Sequence, residues 1–291
     1  MGDVRLEFPE CFEECSADLM IKLAKLSSFF HKPDQIGSDR LKDYAVWVLI
    51  LEAVVNGVFV KPNTRSSKRF WKKLKLSPEQ LEYLIELMQW VKDRPEGMPF
   101  EFFEFKGVKY FLPQERFKYT TSIEWTEGLL DFVELTAPLS QQEESSAFDR
   151  LDCLIANFCR PQRKDLEAWK ESENYNGDVR EPYNRAKAEE RAKEFNDLDG
   201  GVKILVLWWY EDLIKAFFEE YKELFGKGDA KNKRYTDGRG FLMVLKNAAK
   251  KHYLGDFNRV CDNDVNVVYS LLLDDFFDEN EVKPISDDSN D

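Results

Sequence analysis

The chain has 291 residues, a formal net charge of −13 at pH 7 and five scattered cysteines. The acidic balance argues against nucleic-acid binding through bulk charge, and the odd number of cysteines is typical of reduced thiols, with no disulfide framework. Its apolar stretches stay below the ~18 residues of a membrane-spanning helix, and the N-terminus lacks the basic and apolar regions of a secretory signal. We therefore predict a cytoplasmic protein without a membrane segment.

Two amphipathic helices are predicted near the N-terminus. Ser16 can cap the first, because its side chain can accept a hydrogen bond from a free backbone N–H of the opening turn. Ser38 and Asp39 are placed to open the second. The expected apolar face of the second helix contains Leu41, Tyr44, Ala45, Val48, Leu49, Leu51 and Val55.

The third helix has the clearest start in the sequence. Ser77 is its N-cap, Pro78 takes the first helical position, and Gln80 completes a capping box. Its apolar residues recur at helical spacing, which predicts a stripe that faces the core. That stripe contains Leu81, Leu84, Ile85, Met88 and Val91.

A short β-hairpin is predicted where aromatic residues flank Lys106-Gly107, since such residues favour strands and glycine favours the turn. We expect a two-stranded ribbon inside an otherwise helical protein. Thr121 and Glu124 then form a second capping box, which opens the next helix.

The polar stretch 137–146 is the best candidate for a domain boundary. It predicts an N-terminal helical module, 1–136, with a hairpin near 102–113, and a C-terminal helical module, 147–276. Residues 277–291 are acidic and are expected to form a disordered tail. The predicted fold class is mostly α, with two helical modules and one short β-hairpin.

The apolar helix "FDRLDCLIANFC" stops at Arg160-Pro161. Pro161 disfavours the helical conformation at Arg160 and removes a backbone donor, so the chain is expected to turn there. Arg160 is expected to interact with the last carbonyl groups of its own helix. We interpret this pair as a structural motif that ends the helix, and not as an active site.

Residues 202–225 are apolar around most of a predicted helix, which is more than one core-facing stripe requires. One interpretation is a partner-binding or oligomer surface, because tryptophan often anchors interfaces. The alternative is a central helix that is buried on all sides. The residues predicted to bind a partner are Trp208, Trp209, Phe217, Phe218 and Tyr221.

No catalytic, cofactor-binding or metal-binding residue is predicted. Cys153 and Cys159 would point about 240° apart on a helix, and the two histidines lie outside any zinc or triad motif. The stretch "DNDVNV" imitates half of a calcium loop, but Val267 replaces its turn glycine. Helix capping by Asp262 or Asn263 is the preferred interpretation.

Two alternative functions stay open at this level. A Mg²⁺-dependent nuclease could use Asp34 with Glu104 and Lys106, since carboxylates bind Mg²⁺. A nucleic-acid-binding module could use the basic patch 65–75, "RSSKRFWKKLK". In so acidic a chain, the preferred interpretations of this patch are a contact for an acidic protein surface or a solvated helix face that aids solubility.

Two stretches, "RLDCLIANFCRP" at 150–161 and "VREPYNRAKAEERAKEFNDL" at 179–198, carry a family resemblance. The sequence resembles helical proteins of tailed bacteriophages and prophages that are encoded beside the tail-tube and tape-measure genes. The hairpin and the last pair of predicted helices are also similar, so the likeness covers most of 100–275. The matching residues are Leu151, Leu154, Ile155, Ala156, Arg160, Pro161, Tyr183, Asn184, Ala192 and Phe195.

This resemblance implies a non-enzymatic tail-assembly or virion structural protein without a cofactor. Such a protein binds a partner chain through helical faces, and the implied partner is the tape-measure or tail-tube protein, or a second copy of the chain. The implied location is the host cytoplasm, with association with the virion as the alternative.

Overall fold

In a computed structural model of the protein, the backbone is described for residues 8–31, 46–54, 77–137, 146–225 and 240–281. Most of these residues are α-helical, and a small antiparallel sheet of three strands lies among the helices, which confirms the predicted fold class. The chain divides into two compact units, the first formed by 1–100 with 198–209 and the second by 101–197 with 210–291.

The predicted boundary at 137–146 does not coincide with this division. The helices that flank it, α4 (Ser122–Thr136) and α5 (Ser146–Phe158), pack against each other within the second unit. Gly128 of α4 lies so close to the Phe158 ring that a Cβ at this position would overlap the ring. The polar stretch therefore lies, in sequence, between two helices of one core.

The first unit contains α1 (Ala17–Ser27), the helical residues 46–54 (α2) and α3 (Pro78–Leu87). The predicted caps of α1 and α3 are confirmed. Ser16 Oγ accepts a hydrogen bond from Leu19 N at 3.3 Å. Ser77 and Gln80 form the reciprocal capping box, with bonds of 3.3 and 3.0 Å.

The buried face of α2 differs from the predicted one. Leu49 is 49% exposed, whereas Trp47, Ile50, Leu51 and Val54 are buried. These four residues follow the i, i+3, i+4, i+7 spacing of one helix stripe, and Leu49 lies on the opposite side. The predicted residues Ser38, Asp39, Leu41, Tyr44, Ala45 and Val55 lie outside the described residues.

The predicted stripe of α3 continues beyond the end of the helix. Met88 and Val91 are fully buried, and the other three residues of the stripe, all within α3, are partly buried against the same core. Leu205 and Trp208 complete this core from the first ten residues of α8 (Gly200–Glu220).

The second unit contains α4 and α5, the remainder of α8, and six further α-helices among the residues that the structure describes. Three of the remaining helices, α10, α11 and α12, form its C-terminal part. The remaining helices are α6 (Leu166–Lys170), α7 (Arg185–Phe195), α9 (Lys222–Phe225), α10 (Gly240–Lys251), α11 (Phe257–Asp262) and α12 (Val265–Glu281).

The predicted hairpin is confirmed as β1 (Phe102–Phe105) and β2 (Val108–Phe111). Its turn residues have positive φ angles, 50° at Lys106 and 77° at Gly107, as a tight hairpin with right-handed twist requires. The ribbon has a third strand, however: β3 (Arg160–Pro161) pairs antiparallel with β2. Proline lacks a backbone donor, and this short edge strand can accommodate it.

The predicted tail at 277–291 is corrected in its first part, because α12 continues to Glu281. Lys251 lies 2.8 Å from Asp275 and 3.1 Å from Glu279, so ion pairs join α10 to the last turns of α12. Residues 282–291 lie outside the part of the chain that the structure describes.

Candidate functional sites: a buried charge cluster and an apolar groove

Arg160 is drawn into the interior of the second unit because the chain leaves α5 as strand β3. Its side chain is 2% exposed, and Nη2 donates to Glu124 Oε2 at 2.9 Å. The carbonyl groups at the end of α5 instead accept hydrogen bonds from two distant arginines. Arg180 donates to Phe158 O at 2.8 Å and Arg191 to Ala156 O at 3.0 Å. The predicted role of Arg160 as a cap of its own helix is therefore wrong, since other arginines occupy those carbonyl groups.

Glu124 connects the two buried guanidinium groups. Thr121 caps α4 through the backbone N–H of Glu124, which is the first half of the predicted capping box. The Glu124 carboxylate binds Arg160 through one oxygen and Arg180 through the other, at 3.0 Å. Asp178 accepts two further bonds from Arg180, at 2.9 and 3.1 Å. Burial raises the pKa of Glu124, and the charges of both arginines oppose this rise. The cluster links β3, α4 and the loop before α7.

A cavity of about 310 Å³ lies beside this cluster. Three arginines and three aromatic residues are among the residues that line it. Tyr119 has a positive φ of 62°, which is strained for a residue with a side chain, and its backbone N–H donates to Asp264 at 2.7 Å. The lining residues that matter for its chemistry are Tyr119, Arg160, Arg163, Trp169, Asp178, Arg180 and Tyr183.

A smaller cavity of about 80 Å³ lies between α4, α5 and the start of α7. Asp131 lines it and accepts hydrogen bonds from Arg150 and Asn157. Burial is the main cause that raises the pKa of Asp131 from 3.8 to about 7, with a smaller contribution from the carboxylates of Glu134 and Glu127.

Asp131→Asn is expected to flatten the pH dependence of stability. Because the pKa of Asp131 is higher in the folded state, its contribution is complete below the unfolded value of 3.8 and is lost as the pH rises through about 7. Between about pH 5 and about pH 8, the wild type should therefore lose on the order of 2 kcal/mol more of its free energy of unfolding than the variant does. Urea unfolding at several pH values measures this, and parallel curves for the two proteins would contradict it.

Among the described residues, α9, α10 and α12 form an open apolar groove of about 500 Å³. Most of its wall is apolar, and Tyr269, which is fully buried, also lines it. Lys251 with its two carboxylate partners lines it as well. The apolar lining residues are Leu224, Phe225, Val244, Leu272 and Phe276.

The residues predicted to bind a partner have a different role in the structure. Trp208, Trp209, Phe217 and Tyr221 are at most 5% exposed, and the Phe218 ring packs against Phe225 at 4.8 Å. Residues 200–209 of α8 belong to the first unit, and residues 210–220 belong to the second. Because α8 contributes to two cores, it is apolar around more of its surface than one stripe requires. The burial of these residues corresponds to the alternative interpretation, in which 202–225 form a central helix.

The residues of the two alternative functions are only partly described. Glu104 lies opposite Lys109 in the hairpin, and Lys106 Nζ lies 3.5 Å from Asp197. Asp34 and the basic patch 65–75 lie outside the described residues. Among the residues that are described, no group of three His, Cys, Asp or Glu side chains could hold a metal ion.

The "DNDVNV" stretch caps a helix, but one residue later than predicted. Asp264, and neither Asp262 nor Asn263, accepts a hydrogen bond from Asn266 N at 2.8 Å at the start of α12. The same carboxylate holds the strained Tyr119 N–H. The sequence does not predict the contact between Asp264 and Tyr119, because these residues lie 145 positions apart.

The fold and these two sites define a mostly α-helical protein with a buried ionic cluster and an open apolar groove. No family model, curated protein or solved structure matches the chain. None of the helices in the described ranges is long and apolar enough to cross a membrane.

Proposed function

We propose that this chain is a non-enzymatic tail-assembly or virion structural protein of the phage type, which binds a partner chain. The observation that carries the proposal is the open apolar groove between α9, α10 and α12. The family resemblance supplies the biological setting, with the tape-measure or tail-tube protein as the partner.

The groove has the features of a site for an amphipathic helix. Helix-in-groove recognition requires an apolar trough that accepts side chains spaced at i, i+3 or i+4, and i+7. Leu272 and Phe276 on α12 provide one wall, and Val244 on α10 provides another. The Phe276 and Phe277 rings, 36% and 44% exposed, lie 5.8 Å apart and extend the apolar surface.

The groove edge favours a partner with a polar flank. Lys250 is exposed, and Lys251 is held by Asp275 and Glu279, so positive and negative groups lie beside the apolar wall. Such a rim fixes the register of a bound helix more than it adds affinity. The occupant that we propose is an amphipathic helix of the partner chain, with charged residues of both signs along its polar face.

The charge cluster supports a binding role over a catalytic one. The Glu124 carboxylate is fully buried and is occupied by two guanidinium groups. Such a carboxylate orders the fold and is poorly placed to act as a base or a metal ligand. The proposed protein therefore acts by covering or joining a surface of its partner.

Phe276→Glu is expected to weaken binding to the partner roughly tenfold or more, since a charge in an apolar groove loses its hydration. The partly exposed ring should allow the variant to fold. Val267→Glu is the matched control, because Val267 lies on the same helix, is 46% exposed and does not line the groove. The measurement is calorimetric titration with purified tape-measure and tail-tube proteins encoded beside the gene.

Equal affinity of the two variants for the partner would contradict the groove as the binding site. Absence of binding to both tail proteins would contradict the proposed function. Metal-dependent cleavage of DNA that is abolished by Glu104→Ala would replace it with the nuclease alternative.

A further inference from the structure

We propose that the cavity of about 310 Å³ beside the buried arginines binds a small oxyanion, the phosphate or carboxylate group of a compact aromatic compound. Three arginines, Arg160, Arg163 and Arg180, line this cavity. None of its lining residues lines the apolar groove, so the inference does not rest on the proposed function.

An incompletely used guanidinium group gives the first argument. Both hydrogen bonds from Arg160 to carboxylates use Nη2, at 2.9 Å to Glu124 and 3.3 Å to Asp178. Its Nε is buried and has no hydrogen-bond partner among the described residues. Buried donors in native proteins are nearly always paired, so this one points to an acceptor that the chain does not supply. An anion oxygen would be such an acceptor.

The charge around Arg160 gives the second argument. Glu124 and Asp178 are each shared between Arg160 and Arg180. Burial, and next the charge of Arg180, lower the pKa of Arg160 to about 10, so the two carboxylates offset only part of the cost of burying this guanidinium group. Asp262 also lines the cavity, but it is exposed, and solvent screens its charge. A bound anion would offset more of that cost.

Arg163 is positioned in advance for this role. Its guanidinium group stacks on the Trp169 ring, 4.1 Å from the ring centre, and donates to both oxygens of Asp165 at 3.0 and 3.1 Å. Because Asp165 is largely exposed, this pair is screened, and the charge of Arg163 remains available to a ligand. A guanidinium group that is already oriented loses little freedom on binding a phosphate.

The aromatic walls specify the rest of the ligand. Trp169, Tyr119 and Tyr183 line the cavity together with the arginines. The Tyr119 ring is fixed by Gly177, where a Cβ would come within 2.5 Å of it, so this wall has little room to move. Flat apolar walls beside cationic donors favour an aromatic ring that carries an anionic group.

Calorimetric titration of the full chain with phenyl phosphate, benzoate and inorganic phosphate tests this proposal. Phenyl phosphate should bind more tightly than inorganic phosphate, because it also uses the aromatic walls. Arg163→Gln should weaken its binding roughly tenfold or more, through loss of a charged donor. Arg150→Gln is the matched control, since it removes the same charge beside the smaller cavity, and it should change binding less than about twofold.

If Arg163→Gln does not fold, Asn176→Asp serves instead. Asn176 is exposed and lines the same cavity, so the new negative charge should weaken phosphate binding without disturbing the core. Absence of binding of all three anions to the folded wild-type protein at millimolar concentration would overturn the proposal. Equal weakening in the Arg163 and Arg150 variants would also overturn it. The comparison of benzoate with phenyl phosphate decides between carboxylate and phosphate as the preferred group.

Discussion

Glu124→Gln is expected to destabilise the second unit by about 3–5 kcal/mol, because it leaves two buried guanidinium groups without their shared negative charge. Glu124 is fully buried and lies 2.9 Å from Arg160 and 3.0 Å from Arg180. Glutamine keeps the shape of the side chain, but its amide nitrogen would face a guanidinium donor. The loss should therefore come from charge and hydrogen bonding and not from a cavity.

The measurement is the free energy of unfolding in urea, followed by far-UV circular dichroism. Glu134→Gln is the matched control, because Glu134 lies on the same helix and pairs with Arg150 at 2.6 Å while its side chain is 45% exposed. An exposed ion pair contributes about 0–1 kcal/mol, so this variant should unfold close to the wild type. Similar urea midpoints for the two variants would show that the buried cluster does not stabilise the fold.

Gly201→Ala is expected to destabilise the first unit by about 1–3 kcal/mol or more, through overpacking. A Cβ at Gly201 would collide with the carbonyl oxygen of Ile21, which belongs to the backbone of α1 and cannot rotate away. The substitution should force α1 and the start of α8 apart and disturb the core between them. Thermal unfolding measures the effect.

The preceding glycine provides the control. A Cβ at Gly200 would meet only Lys25 Cε, at 3.9 Å, which is ordinary van der Waals contact. Gly200→Ala should be neutral or stabilising by up to about 1 kcal/mol, because alanine loses less chain entropy than glycine in a helix. A lower melting temperature for Gly200→Ala than for Gly201→Ala would contradict the packing of α1 on α8.

Local signals in the sequence predicted local structure well. The Ser16, Ser77 and Thr121 caps are confirmed, and so is the hairpin turn at Lys106-Gly107. Each of these features depends on residues within four positions of one another, so the residue types alone determine it. The mostly α fold class follows from the same short-range patterns.

Sites formed by distant residues were not predictable in this way. The sequence assigned Arg160 to its own helix end, because no local signal says that Glu124, 36 residues away, becomes buried beside it. The third strand and the caps of α5 by Arg180 and Arg191 depend on contacts of the same long-range kind.

The sequence by itself determined where the caps, the hairpin and the main helices of this protein lie, because those features depend on backbone preferences and neighbouring side chains. Only the tertiary structure decided which surfaces those elements bury. It showed that the apolar residues around α8 contribute to two cores. It also showed that Leu49 lies outside the stripe of α2 that faces the core of the first unit. It also placed Arg160, Arg180 and Glu124 in one interior cluster, where the cost of removing charge from water requires that each group have a partner.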